Sequence, residues 1–362
     1  MEKFKNLEFL RVIGCVAIVL YHLFDHTSLH KFFGDVTLYD KFYYMTKNGT
    51  KAVELFFILS GFFFAYKLNL TKSIWDFLKQ KLIRLYPVLI FCILLSFVIS
   101  LTGAFKFVTY DYIMCFLGLT GIGLTKGLDG ISVFWYVSAM LWTFILYFYI
   151  LKNYEKKNVD LFIMLSILFS YSFLIHAKNG VIDHNSQTFY YIFNVGVMRA
   201  LGGIGIGYFI AEWYKNNCDK IKHLLLSFKM KLMLTGLELT CVVFIINNLM
   251  FHHLHYKNQL IFIVVFITTI VLFLIKQGFI SQILNKDIWL KLSRYTYSIY
   301  MTHAVVLKAF QHAVFKNNSE WVLAHQIENV LLYLIISLLV GVFTYHFIEA
   351  PCTRYFSQKL KR

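Results

Sequence analysis

Ten stretches of this chain are apolar for long enough to cross about 30 Å of hydrocarbon, at residues 7–24, 50–66, 85–103, 132–151, 159–176, 189–212, 230–250, 259–276, 295–312 and 328–349. In a bilayer core every backbone N–H and C=O must be satisfied within the protein, so runs of this length admit helices and little else. The expected fold class is all-α, a polytopic membrane protein built as a bundle of about ten transmembrane helices. With 362 residues and only 2 prolines, the chain reads as a single membrane domain, 1–362, with no additional soluble domain. Mean hydropathy is +0.63, and 59% of residues are hydrophobic against 15% charged, which excludes an ordinary soluble domain. The stretch 107–123 is less apolar, carries Asp111, and ends in glycines and threonines, so it is expected to be re-entrant or interfacial.

A net charge of +16 would suggest nucleic acid in a soluble protein. Its distribution argues otherwise. Alternate loops carry 23 Lys and Arg on one side and 10 on the other, with Arg11 and Arg199 inside spans. That asymmetry predicts a multi-pass protein of the cell inner or plasma membrane with both termini cytoplasmic. Its basic surface would then contact membrane lipids and no nucleic acid. The six cysteines form no CxxC or other metal spacing. Free thiols and no metal are expected.

The ionisable residues within spans point to function, because each costs roughly 2.5–3.5 kcal/mol to insert even on a lenient scale. Arg11 and His22 stand eleven residues apart in the first span. Almost three whole turns separate them, so they share one helical face about 16 Å apart along the axis. Glu8, one turn before Arg11, is its obvious partner. Glu54 opens the second span at the depth of His22, where the two are expected to meet, with Asp25 a weaker partner for the imidazole. A carboxylate there would fix the tautomer and raise the basicity that a general base needs. Only 6 of the 35 basic residues are arginines, so Arg11, Arg84, Arg199 and Arg294 mark places where a fixed, forked charge matters. His303 lies near the middle of the ninth span, one turn after Tyr300. Ser60-Gly61 and the run Gly202 to Gly207 predict close helix crossings. The glycine run is no dinucleotide fingerprint, since no strand precedes it. His252, His253 and His255 read as an interfacial loop, and Tyr39, Tyr43, Tyr44 and Trp321 as interfacial aromatics.

Several segments, in order, resemble acyltransferase family 3. LEFLRVIGCVAIVLYH (7–22) is similar to its Arg-x10-His opening, with Glu8 where the family usually has Asp. VELFFILSGFFF (53–64) resembles its acidic, Phe-Phe and Ser-Gly second-span motif. KLIRLYPVL (81–89) is similar to its basic Tyr-Pro motif, with Lys81 in place of one arginine. FWYVSAMLW (134–142), SRYTYSIYMTH (293–303) and FIEAP (347–351) follow in the family's order, and Arg199 precedes a Gly-rich run as in its sixth span.

The resemblance implies ten spans and transfer of an acyl group, most commonly acetyl, from cytoplasmic acyl-CoA to a hydroxyl of a carbohydrate. The acceptor is a lipid-linked glycan or a cell-envelope polymer. On that reading Arg11, Lys81, Arg84 and Arg199 bind the CoA phosphates. His22 is the base or the acyl carrier, assisted by Glu54, and Trp135, Tyr136, Tyr300 or His303 contact substrate or stabilise an oxyanion. Two alternatives stay open at the level of sequence. One is a transporter using the buried Arg, His and Glu residues as a solute or proton path. The other is an unrelated membrane O-acyltransferase. Against the transporter stand the lack of an internal repeat and the position of Pro87 and Pro351 at span edges.

Overall fold

The structure, a computed structural model, describes residues 3–26, 38–120, 133–177, 180–182, 189–190, 193–224, 226–251, 259–315 and 319–359. Among the described residues, eight helices or continuous helical stretches are long and apolar enough to cross a membrane. They begin with α1 (Lys5–His26); α2 (Leu38–Thr46) follows and runs through a tight turn into α3 (Ala52–Tyr66), and next come α4 (Ile74–Ser100), α6 (Phe134–Asn153), α7 (Lys156–Ala177), α8 (Val195–Lys222), α9 (Phe228–Ile246) and α15 (Gln326–Thr344). The remaining two expected spans are shorter helices, α10 (Leu260–Ile275) and α13 (Thr296–Phe310), the latter prolonged by a wide turn over Gln311–Phe315. Small helices connect or end these elements: α5 (Thr109–Phe116), α11 (Phe279–Ile283), α12 (Asp287–Ser293), α14 (Ser319–Ala324) and α16 (Ala350–Lys359). Among the described residues the one ladder is a two-residue antiparallel pair, Phe189–Tyr190 with Phe193–Asn194. The protein is thus an all-α polytopic membrane protein.

Helix ends depart from the apolar runs where capping side chains decide them. Ser73 accepts a hydrogen bond from the Asp76 N–H at 3.0 Å, so α4 begins at Ile74, well before residue 85. Pro87 therefore lies inside a helix and not at a span edge. Two residues earlier, the Leu85 carbonyl accepts the Tyr297 hydroxyl at 2.7 Å. Lys81 and Arg84, read as residues preceding a span, belong to the same helix. Asn194 caps α8 by accepting from the Val197 N–H at 3.0 Å, so the helix starts at Val195 and not at 189. Lys51 is buried in the tight turn between α2 and α3. At eight residues α5 extends about 12 Å, too short to cross, as an interfacial or re-entrant segment requires.

Helix α3 packs most extensively against α8. The small residues of both make this possible: a methyl group on Gly61 would collide with the Ile204 carbonyl, and one on Gly207 with the Ile58 carbonyl. The expected close crossing is present. All six cysteines are free, with Cys218 and Cys352 half-exposed and the rest buried.

Candidate functional site

One end of the bundle opens into a cavity of about 640 Å³ between α1, α3, α4, α6 and α13. Its lining includes six cations, Arg11, Lys67, Lys72, Lys81, Arg84 and Arg294, against two carboxylates, Glu8 and Glu349. Four of these cations have partners that position them. Arg11 pairs with Glu8 at 3.2 Å and lies 4.6 Å over the Phe63 ring. The Lys81 ammonium sits 4.3, 5.3 and 5.7 Å from the ring centres of Phe144, Phe77 and Phe64, a cation–π cage that fixes a charge without cancelling it. Arg294 stacks on Tyr295 at 5.0 Å, and Lys72 bonds Gln80 at 2.9 Å on the rim. The Glu349 carboxylate accepts the Ser298 hydroxyl at 2.6 Å. Lys67 has its pKa pushed below that of an ordinary lysine, first by burial and then by the charges of Arg84 and Arg11. A site with this cation surplus is built to take a polyanion.

The ten residues singled out in the sequence fall into three groups. Arg11, Lys81, Arg84, Tyr136 and Tyr300 line the cavity. His22 and His303 stand together beyond it, ring centres 5.2 Å apart. His303 is fully buried, and its Nδ1 lies 2.6 Å from the Tyr300 carbonyl. The two groups are joined ring to ring, Tyr136 to Tyr300 at 5.6 Å and Tyr300 to His303 at 5.8 Å.

Glu54, Arg199 and Trp135 form the third group, and here Arg199 is placed differently from the expectation. Arg199 Nε donates to Glu54 Oε1 at 2.5 Å, with both side chains almost wholly buried. The guanidinium also lies 5.1 Å from the Trp135 ring centre, and its Nη2 reaches the Thr50 carbonyl at 3.5 Å. None of the three lines the cavity, so Arg199 does not belong with the cations that could bind phosphate. The pairing follows from burial: a guanidinium at that depth needs a carboxylate, and Glu54 is in reach. Asp25, the weaker candidate beside His22, hydrogen-bonds Tyr43.

Lys67, Lys72 and Glu349 enter the cavity without having been singled out as site residues. In the sequence the two lysines look like ordinary charges flanking a span. Only Glu349, inside FIEAP, carried a signal. The outer-loop residues His252, His253 and His255 lie outside the described residues.

This is a helical membrane bundle with a histidine pair, His22 half-buried and His303 buried, behind a cation-rich cavity. An acyltransferase domain model matches residues 4–346, and the chain belongs to acyltransferase family 3. It is therefore a membrane acyltransferase. Among curated proteins and among solved structures nothing matches the chain significantly.

Proposed function

We propose that the protein is an O-acyltransferase that moves an acyl group, acetyl above all, from acyl-CoA to a hydroxyl of a cell-envelope carbohydrate or lipid-linked glycan. The observation that carries this reading is the cavity, with its six cations over two carboxylates. Coenzyme A is a polyanion at one end and a thioester at the other. Its phosphates would meet Arg11, Lys81, Arg84 and Lys67, with the pantetheine arm directed toward Tyr136 and Tyr300. The cavity mouth then faces the cytoplasm of an inner or plasma membrane, where acyl-CoA is supplied.

His22 acts either as base, taking the proton of the acceptor hydroxyl, or as carrier, accepting the acyl group first. In both cases the thioester C–S bond breaks, a C–O bond to the acceptor forms, and one proton ends on the CoA sulfur. His303 and the tyrosine hydroxyls are the donors closest to a developing oxyanion. The Glu54–Arg199 pair holds α3 and α8 together beside this site.

Purified protein given labelled acetyl-CoA should exchange or hydrolyse the acyl group. His22→Ala should lower that rate about 10²–10⁴-fold with insertion unchanged, and full activity in that variant would remove His22 from the mechanism. An acyl-enzyme trapped without acceptor would mark His22 as carrier, and its absence under turnover conditions would mark it as base. Comparing envelope glycans with and without the gene by mass spectrometry would identify the acceptor.

A further inference from the structure

Three aromatic rings close the inner end of the cavity. The deepest lining residues on α3, α6 and α13 are Phe56, Tyr136 and Tyr300, whereas His303, one turn beyond Tyr300, and His22 do not line it. Phe56 meets Tyr136 at 6.3 Å and Tyr300 at 6.2 Å, and the two tyrosines meet at 5.6 Å, all edge to face. At such separations rings touch, which leaves no channel between them wide enough for a methylene chain.

Each ring is also held in place. Tyr136 shares a hydrogen bond with Ser60 at 3.1 Å, and Tyr300 donates to the Val133 carbonyl at 3.3 Å. Phe56 presses on α1 at Gly14, where even a Cβ would come within 3.0 Å of its ring. The floor is therefore a packed unit rather than three loose side chains.

We propose that Phe56, Tyr136 and Tyr300 act as a size gauge for the acyl group, passing acetyl and rejecting longer chains. This rests on the acyl-CoA reading above. A carbonyl that comes within reach of His22 carries its tail in the space these rings fill. Turning one ring aside makes room for a methyl group, and every further methylene needs volume of its own. Phe56 sets the limit, because it is the one ring of the three with no polar role in the proposed chemistry.

The test is thioester turnover by the purified full-length protein with acetyl-, butyryl- and octanoyl-CoA, comparing wild type with Phe56→Ala and the milder Phe56→Leu. The octanoyl-to-acetyl rate ratio should rise about tenfold or more in Phe56→Ala, the scale of discrimination that methylene-sized changes give in an apolar pocket, and by less in Phe56→Leu. An unchanged ratio in both variants overturns the gauge. A separate arm needs no acyl-CoA chemistry. With Cys218 and Cys352 replaced by Ser, a cysteine in the His303→Cys variant should resist water-soluble thiol reagents when Phe56 is present and react in the Phe56→Ala background. Reaction that ignores Phe56 overturns the floor itself. Failure of the wild type to turn over any acyl-CoA would overturn the substrate reading, and the gauge with it, while the thiol arm still reports whether the rings seal the cavity.

Discussion

A buried charge is tolerable only with its partner, and Glu54 and Arg199 show how far that requirement reaches. At 0% and 3% exposure and 2.5 Å apart, neither can turn to water if the other is removed. Glu54→Ala or Arg199→Ala should destabilise the fold by about 3–5 kcal/mol, read as a lower melting temperature in detergent. The double variant Glu54→Leu with Arg199→Met should melt closer to wild type than either single change. Equal losses in single and double variants would mean that the pair is not what holds the site. Lys67 makes a different residue-scale prediction. Burial, Arg84 and Arg11 lower its pKa, so the free protein loses that proton at lower pH than an ordinary lysine would allow. A bound polyanion stabilises the cation again and raises the pKa. Binding of CoA should therefore take up a proton in the window between the two values, and affinity should fall as pH rises through the lowered one. Calorimetry between about pH 7 and pH 10 reads both effects, and Lys67→Arg should reduce the uptake.

Elements were legible in the sequence where apolar periodicity decides them and illegible where a cap or a partner does. The runs located every long helix, yet they could not reveal that Ser73 starts α4 eleven residues before the apolar stretch, or that Asn194 delays α8. For the same reason Arg11 and His22 were readable as one face of one helix, whereas the partner of Glu54 was not. That choice depends on how closely α3 approaches α8, which is a tertiary fact. The glycines that permit this approach were visible, and they support a contrast. Gly61→Ala would force a methyl into the Ile204 backbone, and overpacking of this kind costs about 1–3 kcal/mol. Gly236, inside α9, has nothing within 4 Å of where its Cβ would stand. Gly236→Ala should therefore be neutral or stabilising by up to about 1 kcal/mol. Thermal melts of the two variants should move in opposite directions, and a matched loss would mean that helix propensity, not the crossing, dominates.

At the scale of the whole molecule, the cavity mouth lies at an end of the bundle that carries several basic residues. Lys67, Lys72 and Arg294 border the cavity, and Lys5 at the start of α1 pairs with Asp287 of α12 at 3.0 Å. In the proposed orientation this end is cytoplasmic, which gives the basic residues two tasks, fixing topology and gathering an anionic substrate. The two tasks are separable by experiment. Cys218 near the end of α8 and Cys352 in α16 are half-exposed, and both lie in the loops and terminus assigned to the cytoplasmic side. A membrane-impermeant maleimide should label them only after cells are opened. Labelling in intact cells would invert the bundle, leave the cavity facing away from the acyl-CoA pool and exclude it as the donor site. Labelling confined to opened cells, together with loss of CoA binding as salt rises, would tie the orientation and the substrate to one set of charges. Exposed cations more than a Debye length from the ligand, about 8 Å at physiological salt, would contribute little to that salt dependence. Caged Lys81 should contribute most, so Lys81→Met should flatten it more than Lys72→Met on the rim.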